Sequence, residues 1–306
     1  SLIYIIEEGG GKKCRPPLLF NKNSFRVHAF LTNYATIAAT IMSLEYQQNN
    51  NRRKYMRKLI TGIVVAISLA LTTAAPAVAA EGISGGGATF PYPFMQTCAG
   101  DYNSSQNNFV INYTATGSGT GKGNFAKGLF VYGQTDSKYS SGEPTFEWEY
   151  VPNIGGAIAF PINLKNTITG KTIGSSLQLK RVTLAKILSG NIKMWNDPEI
   201  LKDNPRIASG IPAVQIVVVY RSDTSGTSNN VLQYLNAWAP TIWSKVQDDF
   251  GTAFPGNKPL PSSLAGKGNA GVMSLVSSTN GAIGYVDFSD AKGYPVARIE
   301  LSLIHI

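Results

Sequence analysis

The stretch Arg221-Ser222-Asp223-Thr224-Ser225-Gly226-Thr227-Ser228 concentrates the groups that hold a small anion. Arg221 carries a planar fork of N–H donors suited to the oxygens of a tetrahedral oxyanion. Asp223, two residues on, can grip that Arg. The serines and threonines add hydroxyls, and Gly226 lets a ligand approach the backbone. An apolar, β-branched run (214–220, VQIVVVY) precedes the stretch, and Val231, Leu232, Leu235 and Trp238 follow at helical spacing. The pattern is a strand, a polar turn and a helix N-terminus. The first N–H groups of a helix lack intrahelical partners and sit at the positive end of its dipole, which favours an anion there. The same cluster also reads as an ordinary capped helix, so the rest of the chain has to decide.

Other polar turns flank apolar segments. A glycine-rich turn at 85–91 (GGGATFP) leads into a segment with Tyr92, Phe94, Met95 and Tyr102. A short strand at 109–113 runs into a second glycine-rich turn at 117–121, and a strand at 130–132 runs into 133–136. Further on come an apolar segment at 154–162, a helix over 184–188, a turn at 195–198 before a short helix, a turn at 266–269 before a helix over 272–276, and a last strand at 281–288. Strands alternating with helices predict an α/β fold. In such sheets ligands gather at the carboxyl ends of strands, so the turns at 87–90, 117–121, 133–136 and 221–228 could line one cleft.

Composition excludes several chemistries. Residues 1–80 hold 10 Lys+Arg against 3 Asp+Glu, whereas residues 81–306 hold 17 against 15. The basic balance lies in the leader, which argues against a nucleic-acid surface on the folded part. The two histidines, His28 and His305, lie near the ends, and the cysteines are Cys14 and Cys98. With Cys14 ahead of the expected start, no disulfide framework is expected, and a zinc site or a His-based triad has little to draw on. No metal or cofactor is expected.

The glycine-rich turns fail the nucleotide and hydrolase patterns. The phosphate loop ending at Gly121-Lys122 would need Gly at 116 and Ser or Thr at 123, where Thr116 and Gly123 stand. A dinucleotide fingerprint from Gly119 would need Gly or Ala at 124, which is Asn124. A nucleophile elbow on Ser118 would need Gly at 116. Small-anion binding remains the leading use of these turns.

Taken together, the pieces GGGATFP (85–91), Asn112-Tyr113 with GSGTG (117–121), GQTD (133–136), IGG (154–156), KMWND (193–197), 221–228, GKGN (266–269) and GAIGY (281–285) resemble, in order and spacing, the extracytoplasmic phosphate-binding proteins of phosphate ABC importers. The resemblance covers nearly all of residues 82–290. It implies a two-lobed clamshell of the periplasmic-binding-protein type, with phosphate in the cleft between the lobes. Position by position it implies phosphate contacts from Thr89 and Phe90, from Ser118 at a helix N-terminus, and from Arg221, Ser225, Gly226 and Thr227, with Asp223 gripping Arg221. It also implies that Asp136 accepts a hydrogen bond from the ligand's own proton. Taken alone, Asp136 reads as a capping or surface residue after a short strand. Thr224 departs from the pattern, which often has Gly there. Trp195, Asn196 and Asp197 read as turn and core, Lys122 as solvated, and Lys267 stays open.

The organisation expected is as follows. Residues 1–55 are an upstream segment outside the native protein. Residues 56–80 combine a basic start, an apolar run and a small-residue end, the pattern of a secretory signal peptide. Lobe I begins with 81–160, lobe II spans 161–281, and 282–300 returns to lobe I, whose C-terminal part is expected to be missing. Residues 301–306 are a non-native tail. The function expected is non-enzymatic: a monomer outside the cytoplasm that binds inorganic phosphate and passes it to an ABC permease. The alternatives are a binder of another oxyanion such as sulfate or molybdate, a phosphate-ester hydrolase, and a surface protein reusing the fold.

Overall fold

The computed structural model describes residues 81–105 and 109–300. The expected upstream segment, signal peptide and C-terminal tail lie outside the described residues, apart from positions at their edges. In chain order the strands are β1 (Glu81–Gly87), β2 (Phe109–Ala115), β3 (Tyr132–Gln134), β4 (Ile158–Ala159), β5 (Ile162–Asn163), β6 (Gln178–Leu179), β7 (Val217–Arg221), β8 (Leu264–Gly266), β9 (Ala282–Gly284), β10 (Val286–Asp287) and β11 (Arg298–Ile299). The α-helices are α1 (Tyr92–Ser105), α2 (Ser118–Ala126), α3 (Arg181–Leu188), α4 (Pro198–Asp203), α5 (Gly226–Trp238), α6 (Phe250–Ala253) and α7 (Gly268–Ser278).

The expected α/β class is what the chain adopts. One sheet has the order β2-β1-β3, with β1 and β3 parallel and Gly86 opposite Gly133. The larger sheet has the order β5-β9-β7-β8, with β7 parallel to both β8 and β9 and only β5 reversed. Two short ladders, β10 with β4 and β11 with β6, complete the pairing. The lobe boundary expected at 281/282 falls at the start of β9, inside the larger sheet.

The glycine-rich run at 85–87 is a strand, not the turn expected from its composition. Gly85 and Gly86 are required by packing, and Gly87 also by its φ of 138°. A Cβ on Gly85 would lie 2.3 Å from the Tyr132 ring, and one on Gly86 would lie 2.5 Å from the Thr114 carbonyl. Likewise the glycines of 118–121 form the first turn of α2. A Cβ on Gly121 would lie 2.3 Å from Gly87 Cα, so α2 sits directly on the end of β1. Composition signalled backbone freedom where the fold uses absence of bulk.

Both buried apolar clusters among the described residues lie within 159–297. α5 contributes Val231, Leu232 and Leu235 to the main cluster, as its spacing predicts, while Trp238 is left 46% exposed under the Arg181 guanidinium. Trp195 is fully buried and donates its indole N–H to the Gly281 carbonyl at 2.9 Å. Asp197 caps α4 by accepting from Glu199 N–H. Trp195 and Asp197 are thus core and turn, as read. Cys98 is disulfide-bonded, against the expectation that it has no partner.

The packing of α2 on β1 gives the first prediction. Gly121→Ala should cost about 1–3 kcal/mol through overpacking, seen as a lower urea midpoint with an unchanged denaturant slope. Gly123→Ala, where a Cβ meets nothing within 4 Å, should be neutral or stabilising.

Candidate functional site

The site is built at the carboxyl ends of strands from both sheets. β7 ends at Arg221, and α5 begins at Gly226 with Ser225 as its N-cap, its hydroxyl accepting from Ser228 N–H at 3.3 Å. This is the strand, turn and helix arrangement that the sequence predicts. Ser225, Gly226, Thr227 and Ser228 are all buried. The leading N–H groups of α5 therefore face into the protein rather than into water.

Arg221 is the fixed point. Its side chain is 1% exposed and pairs with Asp223 through two bonds, Nε to Oδ1 at 2.7 Å and Nη2 to Oδ2 at 2.5 Å. Asp223 is held in turn by Gly268 N–H at 2.9 Å. Burial alone would push the Asp223 carboxyl up, but the bonds and charge of Arg221 outweigh it and hold it below the usual carboxylate range. The remaining Nη1 donates to Asn269 Oδ1 at 2.9 Å and to Thr89 Oγ1 at 3.2 Å. Thr89 follows β1, so the Arg links the two sheets.

The second half of the site surrounds Asp136, two residues past β3. Ser118, buried at the start of α2, donates to Asp136 Oδ2 at 3.5 Å and accepts from Asp136 N–H at 3.4 Å. Thr227 Oγ1 lies 3.5 Å from the same carboxylate oxygen. A Cβ on Gly226 would lie 2.7 Å from both Asp136 Cβ and Ser118 Oγ, so only Gly fits where α5 meets this pair. Burial pushes the Asp136 carboxyl up to about 7, and the nearby Asp287 charge adds to it; Arg221, Thr227 and Ser118 act in the opposite direction.

The structure therefore brings Thr89, Arg221 and Asp223 into one bonded group, and Ser118, Asp136, Gly226 and Thr227 into another. Phe90 stands apart from both through its side chain, whose ring packs where Gly156 lacks a Cβ. Thr224, the departure from the family pattern, is accommodated by a partner. Its carbonyl accepts from Gly119 N–H at 3.0 Å, and its side chain occupies the space beside the Cβ-less Gly119.

Comparison with known proteins now places the chain. A family model described as a PBP superfamily domain matches residues 72–303. The chain belongs to the PBP superfamily. It is 36% identical over 225 residues to the phosphate-binding protein PstS of Methanocaldococcus jannaschii, covering 70% of this chain and 56% of that one. It is 32% identical over 246 residues to the PstS of Pasteurella multocida, covering 79% and 67% respectively. A solved high affinity periplasmic phosphate-binding protein, PfluDING, bound with phosphate, is 26% identical with a TM-score of 0.53, covering 73% of this chain and 62% of that one. A phosphate-binding protein from Stenotrophomonas maltophilia has a TM-score of 0.51 at 23% identity, covering 72% and 65%. The resemblance and the two-lobed PBP fold are borne out. The chain spans about half the length of several of the curated relatives it matches.

In this PBP-superfamily protein, several site residues escaped the reading of the sequence. Asn269 is buried and donates to Asp290 Oδ2 at 2.8 Å and to Asp287. It lies in the 266–269 turn, where attention fell on Lys267, which is exposed. Tyr285 is fully buried and its hydroxyl accepts from Arg221 N–H at 3.1 Å and meets Ser228 Oγ at 2.7 Å. Asp287 lies inside the segment read as the last strand, 281–288, and ends β10.

Lys122 is a correction. It is not solvated: its side chain is 11% exposed and pairs with Asp248 at 2.8 Å. No local sign of Asp248, 126 positions away, stands in the sequence. Asp248 also accepts from Ser137 Oγ at 3.0 Å and Asn229 Nδ2 at 2.9 Å, and its carbonyl accepts from Ser225 N–H at 2.9 Å. One residue thus ties α2 and the Asp136 loop to the cap of α5.

That tie makes a prediction. Truncating either partner, in Lys122→Met or Asp248→Asn, should cost about 1.5–3 kcal/mol through a lost charge-assisted bond. A double-mutant cycle by urea unfolding should show the two losses to be strongly non-additive. Additive losses would mean that the pair does not couple the two segments.

Proposed function

We propose that this protein binds inorganic phosphate outside the cytoplasm and delivers it to an ABC-type membrane importer. The phosphate would be held by Thr89, Phe90, Ser118, Asp136, Arg221, Ser225, Gly226 and Thr227, with Asp223 fixing Arg221. The curated relatives named above are phosphate-binding proteins, and the solved relative holds phosphate. Export by the signal-peptide pattern at 56–80, a monomeric state, and closure of two lobes about the ligand before docking on permease subunits belong to the same reading. Among the described residues no helix is long and apolar enough to cross a membrane.

The single observation that carries the ligand assignment is a carboxylate among anion donors. Asp136 lies against Ser118, Gly226 and Thr227, at the starts of two helices whose N–H groups and dipoles favour negative charge. An acidic residue in such a place repels an anion unless a proton lies between them. Phosphate near neutral pH carries one and can donate it; sulfate has none. Sulfate has to wait for Asp136 to take up a proton from water, which costs about 1.4 kcal/mol, or tenfold in affinity, for each pH unit above the Asp136 midpoint. The geometry therefore supports phosphate over other oxyanions.

Calorimetric titration of the whole chain with phosphate and sulfate, in wild type and Asp136→Asn, tests this. At about pH 9, some two units above the Asp136 midpoint, wild type should favour phosphate over sulfate by about a hundredfold or more. In the variant the phosphate-to-sulfate affinity ratio should fall at least about tenfold, because an amide can donate to either ligand. A folded chain that ignores phosphate would sink the proposal, and selectivity unchanged in Asp136→Asn would remove Asp136 from its role.

A further inference from the structure

Behind the ligand-facing groups lies a second carboxylate that the site as described leaves without a task. Asp287, at the end of β10, is buried, and among the described residues it is in no ion pair. Its bonded donors are neutral: the Asn269 amide, and Thr227 Oγ1 at 3.4 Å. The same Thr227 oxygen lies 3.5 Å from Asp136 Oδ2. A hydroxyl has one proton to donate. Thr227 can therefore serve Asp136 or Asp287 but not both, unless one of the carboxyls carries a proton and donates back.

We propose that Asp287 is a specificity-determining positioning residue: through the shared Thr227 hydroxyl it governs whether Asp136 meets the bound oxyanion as a proton acceptor or as a proton donor. The inference rests on the reading of this site as an oxyanion site. It differs from the expected role of Asp136 in placing control one residue deeper, out of contact with the ligand.

The surroundings support it. Asp136 is faced by Ser118 from α2, Thr227 from α5, Arg221 from β7, Asp287 from β10 and the Tyr113 hydroxyl from β2. Asp287 is faced by Asn269 from α7, by Thr227, by Arg221 and by Asp290. Arg221, the cation in both lists, is ion-paired to Asp223, so Asp136 and Asp287 share only what remains of its field. Two carboxylates joined by one hydroxyl, away from water, resist being charged together. Burial, then Asp287, pushes Asp136 to about 7, and burial pushes Asp287 to about 6, with Asn269 opposing it and Asp290 reinforcing it.

The consequence follows from proton counting. An oxyanion that brings a proton binds to ionised Asp136, and its proton-free form binds to protonated Asp136; the complex is the same. An oxyanion that never carries a proton binds only to protonated Asp136, so its affinity falls about tenfold per pH unit above the Asp136 midpoint. Asp287 raises that midpoint toward neutral pH. There the site meets both ionisation states of a proton-bearing ligand.

The test is a titration of the ligand-free whole chain labelled with 13C at the aspartate carboxyls, followed by NMR from about pH 4 to about pH 9, a span bracketing the shifted carboxyls. Asp136→Asn identifies the Asp136 signal. Its midpoint should be near 7 in wild type. It should fall by about one unit in Asp287→Asn, which removes a neighbouring charge, and rise in Thr227→Val, which removes a donor. Opposite movements in the two variants are not produced by a general loosening of the fold. If Asp287→Asn does not fold, the wild-type curve decides: ionisation of Asp287 must appear in the Asp136 signal as a second inflection near 6, and a single inflection overturns the proposal. An Asp136 midpoint that stays put in the folded variants overturns the proposal. Absence of phosphate binding by the wild-type chain, with these movements intact, would overturn the phosphate reading and leave the coupling standing.

Discussion

A guanidinium withdrawn from water must be held by a fixed partner of opposite charge, and this requirement organises much of the site. Arg221 is buried at the end of β7, and the two parallel bonds to Asp223 satisfy its Nε edge in the geometry that planar guanidinium and carboxylate groups share. What remains is Nη1, whose two N–H groups reach Thr89 and Asn269, and the second N–H of Nη2. Removing Asp223 would strand the cation, and breaking a buried pair costs about 3–5 kcal/mol. The Arg backbone is fixed as well, because its N–H ends on the Tyr285 hydroxyl. A donor so constrained loses little freedom when it takes up a ligand, which is how preorganisation converts into affinity.

The same constraint explains why glycine recurs around the site. A Cβ on Gly117 would lie 2.4 Å from Asp223 Oδ2, and its φ of 90° is a conformation that side chains disfavour. Gly119 leaves room for Thr224, and Gly226 for Asp136 and Ser118. These positions are where the starts of α2 and α5 come together. With side chains there, the two helix N-termini would be held apart and could not converge on one small anion.

Much of this was legible in the sequence, and the reasons differ by residue. The turn at 221–228 is contiguous, so strand, Arg, grip and helix cap all show themselves within a short run. Element types followed from periodicity, as for α5 with Val231, Leu232 and Leu235 on one face. The glycine runs misled because glycine has two uses that look alike in a string: freedom to turn, and absence of bulk between packed backbones. Gly85 and Gly86 belong to the second kind, and only the ring of Tyr132 and the carbonyl of Thr114 reveal it, whereas Gly87, at φ 138°, uses the first as well. Lys122 and Asp248 stand 126 positions apart, and neither carries a local mark of the other. Asp287 and Asn269 were hidden in a similar way, since a strand-end Asp and a turn Asn are ordinary until the fold sets them behind Arg221.

The distribution of apolar burial bears on how the molecule works. The buried clusters lie within 159–297, and within 81–157 the buried hydrophobic residues described are Ala88, Ala99 and Tyr113. Contacts from the earlier segment to the later one are therefore largely polar: Thr89 to Arg221, Gly119 to Thr224, and Lys122 and Ser137 to Asp248. Polar contacts of this kind exchange readily for water and cost little to open, whereas a shared apolar core would weld the two parts together. Separating 81–157 from the rest would therefore expose neither buried cluster. The bonds that would break are those to Arg221, to the Thr224 carbonyl beside the α5 cap, and to Asp248, whose own carbonyl holds the N-cap residue Ser225. An anion seated, as proposed, between the starts of α2 and α5 would add charge-assisted bonds to both segments at once. In the proposed reading its binding energy would fall on that same surface, and occupancy and closure would be coupled through one set of hydrogen bonds.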